Sequence, residues 1–260
     1  MGRNSQLKKN IFQLFVSTLL GAVLIVTVSI VISKSTTHNL KANAAEEYNP
    51  QIKPADFTHI ITNKYTALPV GKKMIYESRT KDGLERIEIY ISGDTKTVMG
   101  VNTLVYHDQV WINGEFLEDT RDYLAQDKEG NVWYFGEDVD NYENGVIADH
   151  EGSWLAGVDG AKPGYWIKAN PVVGETYRQE YYKGQAEDMA TVVSLNERVV
   201  VPDGNFTGCL KTYDFSPLDP DLQEYKYYCP QVGAMALESD LLSKDKTKLI
   251  DVLINGVSAE

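Results

Sequence analysis

The chain has 260 residues, 37 acidic and 25 basic, with a formal net charge of −12. All 37 acids but only 20 of the bases follow residue 44, so the part beyond it carries −17, a surface that repels nucleic acid and anionic headgroups and suits solubility or cationic partners. The 216 residues beyond that point suffice for one domain or two small ones.

The first ten residues, MGRNSQLKKN, hold Arg3, Lys8 and Lys9 and no acid. Residues 11–33 follow as 23 uncharged, mostly apolar positions. A basic head before an apolar run is an export signal. The run is long enough to cross a bilayer, which speaks for an uncleaved anchor. Ala42-Asn43-Ala44 is a small-x-small cleavage site, which speaks for a long signal cut near Ala44. Both readings stay open. A buried helix of a cytoplasmic protein is excluded, because 23 residues without a charge leave no polar face. The chain thus divides into a signal or anchor (1–44), a polar tether (45–54) and one extracytoplasmic domain (55–260), attached to the cytoplasmic membrane only through residues 11–33 or secreted.

Beyond residue 54 the punctuation is short and regular: KDG at 81–83, NGE at 113–115, ENG at 143–145, PDGN at 202–205 and PLDPD at 217–221. The segments between are of strand length and rich in Val, Ile, Tyr, Thr and Trp, a pattern of antiparallel strands and not of βαβ units. In LERIEIYI, Ile87, Ile89 and Ile91 share one face. Residues 237–254 read as a final hairpin turning at SKDK, in preference to a terminal helix. The expected fold is all-β with at most minor helix: about twelve strands in a large antiparallel meander, curled into a half-barrel, barrel or sandwich, preceded by the hydrophobic N-terminal helix. With few helices to cover it, such a sheet curls on itself or leaves a concave face for a ligand.

The two cysteines, Cys209 and Cys229, are too far apart for a zinc knuckle and lack the C-x-x-C of a redox centre. His38, His59, His107 and His150 are scattered and complete no metal site. A turn centred on Asp219 sets Cys209 opposite Cys229, Lys211 opposite Tyr227 and Tyr213 opposite Tyr225, close enough for a cross-strand disulfide. Two reduced thiols are the alternative.

Four separated segments, NVWYFGEDV, EGSWLAGVDGAKPGYW, GETYRQEYYKGQAEDMA and CLKTYDFSPLDPDLQEYKYYCPQVG, together resemble a group of uncharacterised secreted proteins of bacteria and archaea. The resemblance spans roughly residues 110–240 and implies export but no activity. In that group alanine usually stands where this chain has Cys229, which implies that the disulfide is a local addition.

Chemistry-bearing clusters are few. Glu137, Asp138, Asp140 and Glu143 read as a solvated acidic turn without the order of a calcium loop. Arg178 and Glu180 share a strand face and read as a surface ion pair. Ser153 sits in no G-x-S-x-G elbow, and no nucleotide loop occurs. No cofactor, metal or catalytic residue is assigned. The aromatics Trp133, Trp154, Trp166, Tyr181 and Tyr227 read first as core packing, and otherwise as the walls of a groove for a lipid, glycan or peptide. The leading functional expectation is a non-enzymatic envelope module binding an apolar or amphipathic ligand in the concave face of its sheet. A surface interaction protein and an extracellular hydrolase are the alternatives, and oligomeric state is left open.

Overall fold

Three Asn-Gly pairs set the rhythm of the fold. Asn113-Gly114, Asn144-Gly145 and Asn255-Gly256 all place both residues at positive φ (53° and 83°, 53° and 77°, 52° and 82°), the backbone that a two-residue hairpin needs to match strand twist. Each lies between strands that pair with one another. Alternation does the rest: in the strand Gly83–Tyr90 the inward Ile87 and Ile89 are fully buried, and Ile91 just beyond it likewise.

The computed structural model describes residues 48–258; the expected membrane segment at 11–33 and the cleavage site at Ala44 lie outside them. Among the described residues no helix is long and apolar enough to cross a membrane. In chain order the strands are β1 (Phe57–Thr58), β2 (Lys72–Thr80), β3 (Gly83–Tyr90), β4 (Thr95–Val98), β5 (Val101–Ile112) and β6 (Glu115–Asp127). Next come β7 (Val132–Glu143), β8 (Val146–Asp149), β9 (Trp154–Leu155), β10 (Lys162–Ile167), β11 (Thr176–Arg178) and β12 (Glu180–Tyr181). The last six are β13 (Met189–Val201), β14 (Gly204–Phe215), β15 (Gln223–Cys229), β16 (Ala234–Asp240), β17 (Lys246–Ile254) and β18 (Val257–Ser258). Residues 237–254 form the expected hairpin, β16 to β17.

The pairing is antiparallel throughout and makes one large, nearly closed, barrel-shaped sheet. Around the wall run β13, β14, β15, β16, β17, β2, β3, β5, β6, β7 and β10. The seam between β10 and β13 is spanned by one short stretch of chain that changes partner. Its first half, β11, pairs with β13, and its second half, β12, pairs with β10. The crossing requires Gly164: a Cβ there would stand 2.3 Å from the Gln179 carbonyl oxygen. The switch also breaks the alternation, so Tyr177 and Glu180 are both buried while Arg178 between them is not. The expected Arg178–Glu180 pair therefore does not form. Arg178 lies 3.7 Å from Glu187 instead, and Glu180 turns into the barrel at 1% exposure.

Tyr76, Met74, Phe135, Leu104, Leu124 and Leu249 are among the fully buried side chains of the core. A register shift between Leu249 and Asp251 interrupts the β17–β2 ladder, and at this point Asp203, at the tip of the long β13–β14 hairpin, donates its N–H to the Leu249 carbonyl (3.4 Å). The described end of the expected tether is docked on the wall. The Tyr48 hydroxyl donates to the Pro163 carbonyl at 2.8 Å, and Lys162 donates to the Tyr48 carbonyl at 2.6 Å.

Cys209 and Cys229 form a disulfide with their Cα atoms 4.3 Å apart, and the ladder sets Lys211 opposite Tyr227 and Tyr213 opposite Tyr225, the register that a reversal at Asp219 predicts. Both cysteines are wholly buried. Closing a loop of about this length contributes about 3 kcal/mol in the chain-entropy model. A Cys209→Ala/Cys229→Ala double variant is expected to lose that amount in chemical denaturation. A loss near zero would show that the bond braces nothing.

Candidate functional site: an acidic chamber in the barrel

In β15 the sequence Gln-Glu-Tyr-Lys-Tyr-Tyr alternates, and the alternation buries Glu224, Lys226 and Tyr228 while Tyr225 and Tyr227 face outward and are half-buried. The charged face, not the aromatic one, is turned inward. Neighbouring strands do the same: Asp214 of β14 lies opposite Glu224, and Glu238 of β16 opposite Lys226. Lys226 Nζ thus sits 3.4 Å from Glu224, 3.7 Å from Asp214 and 3.7 Å from Glu238. One ammonium serves three buried carboxyls, so full ionisation of the group leaves a negative excess inside the protein.

The other side of the interior adds more acid. Asp122 of β6 lies opposite Glu137 of β7, and Tyr134 donates to Asp122 Oδ1 at 2.7 Å. Asp108 and Glu180 have both carboxyl oxygens buried without a hydrogen-bonding partner among the described residues. Glu137, expected on a solvated turn, is 1% exposed, because FGEDVDNYE continues β7 as a strand and its alternation sends Glu137 in and Asp138 and Asp140 out.

Burial dominates the proton affinities. It pushes Glu180 well above the usual carboxyl range, with Asp188 adding to the effect and the Asp188 backbone and Trp154 indole opposing it. Burial and the neighbouring Asp122 and Glu180 do the same to Glu137. Burial raises Asp122 and Glu238 to about 7 each, against the pull of Tyr134 on the first and Lys226 on the second. Burial works against the charge of Lys226, but Glu224, Glu238 and Asp214 hold its ammonium well above the ordinary lysine value. This acidic cluster is therefore a store of protons around the Lys226 ammonium.

Between these groups lies a cavity of about 40 Å³, room for roughly two or three waters. Glu180, Asp188, Asp214, Glu224 and Lys226 line it, with Trp166, Tyr134 and Tyr228 as aromatic walls and Phe215 and Leu222, on either side of the β14–β15 turn, as apolar lining. Four separated stretches of the chain contribute: residues 131–139 give Tyr134, 151–166 give Trp166, 174–190 give Glu180 and Asp188, and 209–233 give Asp214 through Tyr228. A smaller cavity of about 20 Å³ is lined by Tyr76, Tyr106 and the same Trp166 and Tyr228.

Of the aromatics expected to line a groove, Trp166 lines both cavities. Trp154 backs the chamber, its indole N–H turned toward Glu180 without the geometry of a full hydrogen bond. The other three lie elsewhere. Trp133 donates its indole N–H to Asp127 at 2.8 Å and packs against Tyr165 and Phe57. Tyr181 meets Tyr48 edge-to-face under the Arg178 guanidinium. Tyr227 faces outward beneath Lys211. No three His, Cys, Asp or Glu side chains among the described residues are arranged to hold a metal ion.

No family model, curated protein or solved structure matches the chain.

Proposed function

We propose that the chain is an exported, non-enzymatic binding module whose barrel takes the ammonium head of an amphipathic amine. The observation that carries this reading is Glu180, 1% exposed, its carboxyl oxygens approached by the Asp188 N–H and the Trp154 indole but in no hydrogen bond of ordinary geometry among the described residues, on the wall of a chamber lined by four acids and one lysine. A primary or methylated ammonium suits that environment in two ways. It neutralises a carboxylate that burial otherwise keeps protonated, and it gains cation–π attraction from Trp166, Tyr134 or Tyr228. Phe215 and Leu222 supply the apolar contact for the tail. The ligand class sought is thus amphipathic, as expected from the sequence, but cationic and small-headed in place of purely apolar.

The test is calorimetric titration of the full-length chain with n-butylammonium, in a polyoxyethylene detergent that carries neither amine nor sugar. Binding is expected at millimolar concentration or below. Because Glu180 must surrender its proton, affinity is expected to rise about tenfold per pH unit while the free carboxyl stays protonated. Glu180→Gln is expected to remove the binding. Heat that is unchanged in the variant, or no heat at all, rules the reading out. Extracellular hydrolysis is the second reading, supported by the meeting of Glu180, Asp214 and Glu224 at one cavity with proton affinities of the kind that general acids need. Its mark would be turnover of a glycan that Glu224→Gln abolishes.

A further inference from the structure

The geometry points to a second site, on the outer wall: a cleft between residues 150–154 and the turn at 182–186 that takes one neutral sugar ring. The cleft has a volume of about 330 Å³, at the lower end of the range of small-molecule sites, and most of its lining residues, Trp154 and Ala186 apart, reach solvent.

Its central side chain is held in place from behind. His150 Nδ1 lies 2.7 Å from Asp140 Oδ1 and 3.0 Å from the Val139 carbonyl. Asp140 in turn accepts from Arg121 at 3.0 Å, and Arg121 lies 3.9 Å from Asp119, which pairs with His107. This row of linked side chains across β5, β6 and β7 fixes the Nδ1 edge of the imidazole and leaves Nε2, on a side chain 65% exposed, for a ligand. A fixed partner that sets ring orientation is what turns a surface histidine into a directed hydrogen-bonding group.

The Asp140, His150 and Ser153 trio invites a nucleophilic reading, and the serine excludes it. Ser153 Oγ accepts the Val139 N–H at 2.8 Å and returns its own hydrogen toward the Val139 carbonyl at 3.4 Å. The hydroxyl is committed to the backbone of β7, so the histidine has no serine to activate. What remains is recognition. Tyr182, half-buried against the core, offers an aromatic face, while Gln185 and Glu151 offer exposed donors and acceptors. An aromatic surface ringed by an imidazole, an amide and a carboxylate fits a ligand with one C–H face and several hydroxyls. An anion is disfavoured by Glu151 and by the −17 charge beyond residue 44.

The cleft and the chamber share only the Trp154 wall, so this inference stands without the amine reading. Saturation-transfer NMR on the full-length chain, in the same sugar-free detergent, would use glucose, galactose, mannose and N-acetylglucosamine at millimolar concentration. At least one of them is expected to receive saturation, to weaken about tenfold with His150→Ala or Gln185→Ala, and to bind unchanged with Glu180→Gln. Both cleft residues are exposed, so the variants are expected to keep the wild-type melting temperature. Saturation of none of the four sugars, or saturation that survives both cleft substitutions, overturns the proposal.

Discussion

The melting temperature is expected to fall as the pH is raised from about 5 to about 8, the reverse of the usual behaviour of a protein rich in surface carboxylates. Burial, aided by Glu238, Asp245 and Glu118, raises Glu85 to about 8, and burial places Asp122 and Glu238 at about 7 each. In the unfolded chain all three return to the ordinary carboxyl range. Between about pH 4.5 and pH 8 the folded state therefore binds more protons than the unfolded one, and its stability declines with pH. The contribution is complete below the unfolded value and gone above the folded one. Glu85 is 3% exposed, and its shift alone corresponds to roughly 5 kcal/mol at most, several degrees of melting temperature for a chain of this size. Burial raises Glu118 to about 7 as well, against the pull of Thr120, and pushes Asp108, Glu137, Glu180 and Glu224 upward, so these groups act in the same direction. A few others act outside the window. Burial works upward on Glu88 and Asp138, but Lys73 and Arg86 hold the first, and Lys96 and Tyr123 the second, below the ordinary range, so they act only at lower pH. Lys72, brought down to about 8 by burial, acts above it. Calorimetry across the window checks the sign, and Glu85→Gln is expected to flatten the slope. A stability that rises with pH would mean that the interior carboxyls are ionised and paired in ways the geometry does not provide.

The second large effect belongs to Lys226. Replacing it with methionine keeps most of the volume but leaves Asp214, Glu224 and Glu238 facing one another without a cation. Removing one partner of a buried ionic group costs about 3–5 kcal/mol, and that loss is expected near pH 8. Near pH 5 the three carboxyls can take up protons, so most of the loss should vanish. Urea denaturation of Lys226→Met at the two pH values measures the difference, and adding Glu224→Gln should restore part of the stability at the higher one. An equal loss at both would assign Lys226 a packing role and no electrostatic one.

The sheet was legible because a strand writes itself with period two and its hairpins need residues that tolerate positive φ. The Asn-Gly pairs and the PLDPD reversal carried that information locally, and the reversal even gave the register of Cys209 and Cys229. What local pattern could not give was direction. The same alternation that groups Tyr213, Tyr225 and Tyr227 on one face groups Asp214, Glu224 and Lys226 on the other, and ordinary hydrophobicity points the tyrosines inward. The structure turns them outward, with Tyr213 stacked on Phe215, and on the inner face Lys226 gathers Asp214, Glu224 and Glu238 of the adjacent strands around it. Glu180 was hidden for a different reason. Period-two reasoning assumes that a strand keeps one partner, and this one changes partner between Arg178 and Glu180. The signal within reach was Glu137, whose place in an unbroken strand pattern argued against a turn.

The attachment of Tyr48 has a mechanical consequence. Its two hydrogen bonds reach Lys162 and Pro163, and these residues pair with Tyr181 and Glu180 across β10 and β12. A pull transmitted along the polypeptide from before Tyr48 is delivered to those few bonds, beside the stretch that changes partner, and not to the long ladders of the opposite wall. Tension from that direction would open the cylinder along its weakest line, within one residue of the glutamate that faces the chamber.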